Sequence, residues 1–203
     1  MVPQVTLRRV DTVTNRALFS LAVRMAQIMG LHQDPLNAFP PFETEMRRRL
    51  WWHICGLESQ GAEEGASRST SIMDDALVEM PANLNELDLY PGLSDHPESR
   101  TGSTDMTFVL LRFELMRVVH AIKNIRKRHA TGPSASDEAD LKSTQRKFLD
   151  ESMSRLEKHY LRYLSETRPY DRLCLNLVRA ILVRTLFASS WLIAQVGADI
   201  TDR

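Results

Sequence analysis

Apolar positions along this chain recur every three or four residues over five long stretches, and no stretch sustains an alternation in steps of two. A repeat near 3.6 gathers its apolar residues on one side of a helix, so five amphipathic helices and no strand are expected. The first runs from about Asp11 to Met29, with Val13, Ala17, Leu21, Met25 and Ile28 as its buried stripe. Gly30 follows where a helix ends most cheaply in a left-handed residue. Pro35, Pro40 and Pro41 hold the next residues out of helix, and Pro41 suits the first position of a second helix, where its missing N–H costs no bond. There Phe42, Met46, Leu50, Ile54 and Leu57 form the expected inner line. Glu43 and Glu45 lie at the positive end of that helix dipole, and Glu45 pairs with Arg49 one turn on. Trp51 and Trp52 add area that points to burial on more than one side.

From about Ala66 to Ser103 the period dissolves among Pro81, Pro91, Pro97, Gly92 and Gly102. So long a connection is unusual inside a compact domain. Its Ile72, Leu77, Met80, Leu84, Leu87 and Leu89 are expected to pack against the helices. Thr104 or Asp105 suits the cap of a third helix bearing Val109, Phe113, Met116 and His120 on one face. After a Gly-Pro-Ser loop at Thr131 to Asp137, a fourth helix carries Leu141, Phe148, Met153, Leu156, Tyr160 and Tyr163 and is expected to end at Pro169. The last, about Arg172 to Val196, is apolar on most sides (Leu173, Leu177, Ile181, Leu182, Leu186, Trp191, Leu192) and is expected to sit centrally. The fold class is therefore all-α, an irregular multi-helix bundle with a long Pro-rich connecting loop, read as one domain over 1–203.

Charge and composition narrow the chemistry. Among 203 residues, Lys plus Arg (26) balances Asp plus Glu (26), so the basic excess of a protein held by DNA phosphates is missing. The two cysteines, Cys55 and Cys174, each stand alone in an apolar helical pattern and read as small buried hydrophobes. No signal-peptide core opens the chain, and Leu186 to Val196 is too short and too interrupted to span a membrane. The chain reads as soluble and not secreted.

The most specific run is Met29-Gly30-Leu31-His32-Gln33-Asp34, a short proline loop, then Pro41-Phe42-Glu43-Thr44-Glu45-Met46-Arg47-Arg48-Arg49-Leu50-Trp51-Trp52. Ile72-Met73-Asp74-Asp75, Met80-Pro81-Ala82-Asn83-Leu84-Asn85, Asp88-Leu89-Tyr90-Pro91 and Thr104-Asp105-Met106-Thr107-Phe108 follow in order, ahead of Arg112, Glu114 and Leu115. Together these resemble the fungal-specific transcription factor domain, the middle regulatory region of zinc-cluster transcription factors of the xylanolytic-activator type, from roughly Ala17 to Trp191. One departure is Ser67-Arg68-Ser69, where the family often has glycine-arginine-proline in a tight turn. The resemblance implies a nuclear regulator of RNA polymerase II transcription whose zinc and DNA contacts belong to an upstream six-cysteine module. That module is missing from these residues, as is helical sequence the family carries ahead of residue 1. The chain is thus expected to be a fragment, a truncated gene product or a short paralogue, and the apolar surface left open would favour self-association. Implied partners are proteins of the transcription machinery, a full-length relative and a small-molecule effector, with DNA reached only indirectly and no membrane.

No catalytic, cofactor or metal residues are expected within the chain. Gly30, Leu31, His32, Asp34, Glu45, Arg47, Arg48, Arg49, Leu50, Trp51, Trp52 and Pro81 carry the family motif and read as structural. Arg47 to Arg49 read as a solvated face tied by salt bridges rather than a phosphate site. His32 with Asp34 lacks a third metal ligand and sits where a polar side chain serves a helix C-terminus. His53 reads as a partly buried helical histidine, and Glu63-Glu64 and Asp74-Asp75 as surface charge. Lys123, Arg126, Lys127 and Arg128 suit the negative end of the third helix. Met25, Met29, Trp51, Trp52, Phe108 and Trp191 are bulky side chains that read first as plain core and otherwise as the lining of an effector pocket. The competing reading is a small helical ligand-binding protein or enzyme of a biosynthetic pathway, which would need converging titratable groups.

Overall fold

The computed structural model describes residues 12–36, 38–64, 72–73, 77–131 and 138–201. Among the described residues five helices follow in chain order: α1 Thr12–Ile28, α2 Pro41–Glu64, α3 Thr107–Thr131, α4 Glu138–His159 and α5 Pro169–Thr201. Single 3₁₀ turns occupy Glu86–Asp88 and Leu161–Tyr163, and no strand occurs among the described residues. The protein is all-α. Its residues form two compact units, Met1–Ser99 and Arg100–Arg203.

In the first unit α1 packs on α2. Helix α1 closes in a Schellman turn: Leu31 N–H bonds the Ala26 carbonyl at 2.9 Å and Gly30 N–H the Gln27 carbonyl at 3.0 Å. Gly30 takes φ +69°, a conformation that strains any side chain, and Ala26 and Leu31 are both buried beside it. Pro41 begins α2 as expected, and Thr44 N–H bonds the Pro40 carbonyl at 2.9 Å.

The faces differ from those the period suggests. On α1 the expected stripe of Ala17, Leu21, Met25 and Ile28 lies exposed, and Ala26 is buried instead, with Phe19 and Val23 half-buried. On α2, Met46 and Leu50 are exposed, and the inner surface is Thr44, Glu45, Arg49, Trp51, Trp52, Ile54 and Cys55. Apolar periodicity misleads here because α2 buries charges that find partners in distant loops. Beyond residue 77 the chain is irregular, with no two-residue alternation of burial: Val78, Pro81 and Leu84 are buried, Met80 and Leu89 are half-buried, as is Ile72 before it, and Leu77 and Leu87 are exposed against expectation.

In the second unit α3, not α5, is the central helix, packing against both α4 and α5. Leu111 and Leu115 of α3, Leu156 of α4, and Cys174 and Val178 of α5 form its core, with Phe108, Met153, Tyr160, Leu177 and Ile181 against it. Phe113 and Met116 are buried as expected, while Val109 and His120 are half-buried and Leu173 of α5 is exposed. Helix α3 begins at Thr107, and Thr104 closes the turn that leads into it, its carbonyl accepting from Thr107 N–H at 3.1 Å. Thr104 Oγ1 accepts from Met106 N–H at 3.2 Å, and Thr107 Oγ1 accepts from Thr104 N–H at 2.8 Å, a reciprocal pair that satisfies two free donors.

Pro169 does not end α4, which stops at His159; it opens α5, the position where proline is cheapest. Two residues beside it then tie the start of α5 back to the start of α3. Tyr170 Oη accepts from Phe108 N–H at 3.1 Å and lies 3.0 Å from the Asp105 carbonyl. The buried carboxylate of Asp171 accepts from Ser103 Oγ at 2.7 Å and Ser165 N–H at 3.1 Å. Asp171→Ala strands both donors, so urea unfolding should show a loss of about 1–3 kcal/mol. Ser103→Ala, which removes only one of them, should lose less.

The expectations for Val13, Glu63, Glu64, Ser67 to Ser69, Asp74, Asp75, the loop from Gly132 to Asp137 and the side chains of Leu186, Trp191 and Leu192 lie outside the described residues.

Candidate functional site

The motif residues of the first unit converge on α2, whose three consecutive arginines point to three different places. Arg47 donates through Nη2 to the Met29 carbonyl at the open end of α1, and its guanidinium lies 4.0 Å from the Phe39 ring centre. A cation at that carbonyl complements the negative end of the α1 dipole, and stacking on Phe39 shields it from water. Arg48 meets Asp34 side by side, Nε to Oδ2 at 3.1 Å and Nη2 to Oδ1 at 2.8 Å, the paired geometry that only arginine offers a carboxylate. Its Nη2 also lies 3.1 Å from Glu79 Oε2. Arg49 Nε donates to the buried Glu45 at 2.9 Å, and its Nη1 is 3.5 Å from Glu86.

The carboxylates extend these clamps into backbone. Asp34 accepts from Leu36 N–H at 2.9 Å and from Glu79 N–H at 2.8 Å, so one side chain fixes its own turn and a segment 45 residues away. Glu45 Oε2 accepts from Ala82 N–H at 3.2 Å. Trp52 Nε1 donates to the Glu79 carbonyl at 2.8 Å, and Trp51 is wholly buried with the His32 ring 6.2 Å away, tilted against it. The irregular segment from 77 to 85 has no ladder to satisfy its backbone, and α2 side chains supply partners for Glu79 and Ala82.

The motif arginines therefore do not form the solvated face expected of them. Their side chains are 16%, 12% and 10% exposed, and the ion pairs hold helix to loop. Gly30 sits in the Schellman turn, Leu31, Trp51, Trp52 and Pro81 are buried, and Leu50 is exposed. His53, expected to be partly buried, is exposed. Sequence reading missed the reach of Asp34 and Glu45 to Glu79 and Ala82. The four-residue spacing of Glu45 and Arg49 was the available signal, but nothing local specifies a bond to a segment 37 or 45 residues on.

Burial raises the pKa of Asp34, but the Arg48 hydrogen bond, the Glu79 and Leu36 amides and the Arg48 charge outweigh it, leaving the carboxyl below its ordinary value. A folded-state pKa below the unfolded one means the unfolded chain binds more protons on acidification. The stabilisation is then complete above the ordinary carboxylate range and is lost as pH falls through the depressed folded value. The urea midpoint of the wild-type protein should drop more between pH 5 and pH 3 than that of Asp34→Asn; equal drops would contradict the assignment.

Cys55 and Cys174 lie in different units, and burial pushes their thiols up to about 12 and about 11, away from the thiolate a metal requires. No cluster of three His, Cys, Asp or Glu side chains suited to a metal occurs among the described residues. No helix among them is long and apolar enough to cross a membrane.

A model of the fungal specific transcription factor domain matches residues 6–173, which include every element of the clamp. The chain belongs to this family. The aurofusarin cluster transcription factor aurR2 of Gibberella zeae is 33% identical over 170 residues, covering 83% of this chain and 24% of that protein. The C6 finger domain transcription factor hasF of Aspergillus fumigatus is 31% identical over 195 residues, 86% of this chain and 25% of that one. The pyriculol/pyriculariol biosynthesis cluster transcription factor 1 of Pyricularia oryzae is 38% identical over 106 residues, 50% and 14% of the two chains. This fungal-specific transcription factor domain thus spans about a quarter of the length of the first two relatives. No solved structure matches it.

Proposed function

We propose that these residues are the regulatory region of a zinc-cluster transcription factor acting in the nucleus on RNA polymerase II transcription, and that they catalyse no reaction. The observation that carries this reading is the family match over 6–173. The use of the motif's ionisable groups within the fold supports it: Asp34, Glu45 and Arg47 to Arg49 are engaged with one another and with backbone. In this reading the motif is a structural clamp, and zinc and operator contacts belong to a six-cysteine module outside these residues. One relative is named for the aurofusarin cluster and another for a pyriculol/pyriculariol biosynthesis cluster, so genes of such a cluster are the proposed targets.

Control would come from a small effector or a protein of the transcription machinery that binds one helical packing better than another, shifting the population between them. The test is a reporter driven by a heterologous DNA-binding and activating module, with and without residues 1–203 fused to it. The fused chain should change transcription severalfold at equal protein level, and Arg48→Ala within it should abolish the change. A reporter indifferent to the fused chain would contradict the proposal.

A further inference from the structure

One buried carboxylate of the second unit is held by two serines. Asp171, 1% exposed in the first turn of α5, accepts from Ser103 Oγ at 2.7 Å and from Ser165 N–H at 3.1 Å. Both donors are neutral, and among the described residues no cation pairs with this carboxylate. The Ser103 hydroxyl is thus half of a latch between the entry of α3 and the start of α5. Arg100 stands three residues before it and is exposed, as is Thr101. Residues 89–106 lie outside every helix, and Gly102, at φ +97°, turns the chain just before Ser103. Glycine leaves such a turn for an extended form at little cost, so a short local opening presents Arg100 and Ser103 together to an enzyme.

We propose that Ser103 is a phosphorylation site for a serine kinase that reads an arginine three residues upstream, and that phosphate there opens the latch. Charge spacing of this kind is one way kinases choose their substrates. The step transfers the γ-phosphoryl group of ATP. The bond from phosphorus to Ser103 Oγ forms, the bond from phosphorus to the oxygen of ADP breaks, and the hydroxyl proton passes to the base of the kinase. The product has lost the hydrogen that Ser103 gives Asp171, and it carries a charge of about −1.5 to −2 beside that carboxylate. A phosphate near a helix N-terminus is ordinarily favoured, but Asp171 already fills that place on α5, so repulsion and the desolvation of two anions win. Ser165 has Arg162 at the same spacing, yet its hydroxyl pairs with Thr167 Oγ1 at 2.7 Å and only its amide serves Asp171. Phosphate on Ser165 would leave Ser103 its donor. This site does not depend on the regulatory reading above.

Incubation of the full chain with ATP and a calcium/calmodulin-dependent serine kinase, read by mass spectrometry, tests the site. Phosphate should appear on Ser103, and about 10-fold more slowly in Arg100→Ala, where the charge the kinase reads is gone. Phosphorylation should lower the melting temperature by about 5 °C, the shift expected when a chain of this length loses a hydrogen bond and gains a repulsion. Asp171→Asn separates repulsion from bulk. Its amide oxygen can still accept from Ser103, and phosphate facing a neutral group should lower its melting temperature by less than half as much. No phosphate on Ser103, equal rates in wild type and Arg100→Ala, a melting temperature unchanged by phosphorylation, or equal shifts in wild type and Asp171→Asn would overturn the inference.

Discussion

Glu45→Leu should cost the first unit about 3–5 kcal/mol, because it leaves the Arg49 guanidinium buried without its charge partner. Arg49 already has one buried nitrogen, Nη2, without a bond, and its other carboxylate, Glu86, is 3.5 Å away and mostly exposed. The same substitution removes the acceptor of Ala82 N–H. Most of the loss is desolvation of an unmatched charge, so it should be repaired by removing that charge. The double variant Glu45→Leu/Arg49→Met should recover to within about 1–2 kcal/mol of wild type, as apolar replacement of a whole buried pair often does. Urea unfolding of the two single variants and the double gives the coupling directly. Additive losses would show that the pair is not the unit that matters.

Trp51→Ala should remove about 3–5 kcal/mol, since the side chain is wholly buried on α2. A domain of this size has only about 5–15 kcal/mol in all, so the variant should be partly unfolded at 37 °C. Its neighbour in the same motif makes a sharp control. Leu50 is exposed, and Leu50→Ala should change stability by no more than about 0.5 kcal/mol. Thermal unfolding followed by circular dichroism separates the two; a similar loss for both would mean that the burial pattern of α2 is wrong.

These contrasts also mark what the chain made legible. Helix boundaries could be read because Gly30, Pro41 and Thr104 act locally: a left-handed residue ends α1, a donor-free residue starts α2, and a hydroxyl closes the turn leading into α3. The order of motif blocks could be read for the same reason, and it pointed to the family that the domain match supports. Which faces of α1 and α2 turn inward could not. In α2 the inner surface mixes Trp51 and Trp52 with Glu45 and Arg49, whose burial is tolerable only because the segment near Glu79 and Ala82 brings its amides to them. In α1 the outward stripe is the apolar one, and a period alone does not say which side faces the interior of the unit. Pro169 misled for a simpler reason: proline marks both the end of one helix and the first turn of the next.

The central physical statement is that carboxylates presented by the motif hold loop backbone in place of a ladder. Amide hydrogen exchange, read residue by residue on the wild-type chain and on Arg48→Ala, tests it most directly. The amides of Leu36, Glu79 and Ala82 lie outside every helix, yet each donates to Asp34 or Glu45. They should exchange at least 100-fold more slowly than unstructured peptide in the wild type, with protection at Leu36 and Glu79 lost in Arg48→Ala and that at Ala82 kept. Exchange of these three amides at the unstructured rate in the wild-type protein would contradict the account.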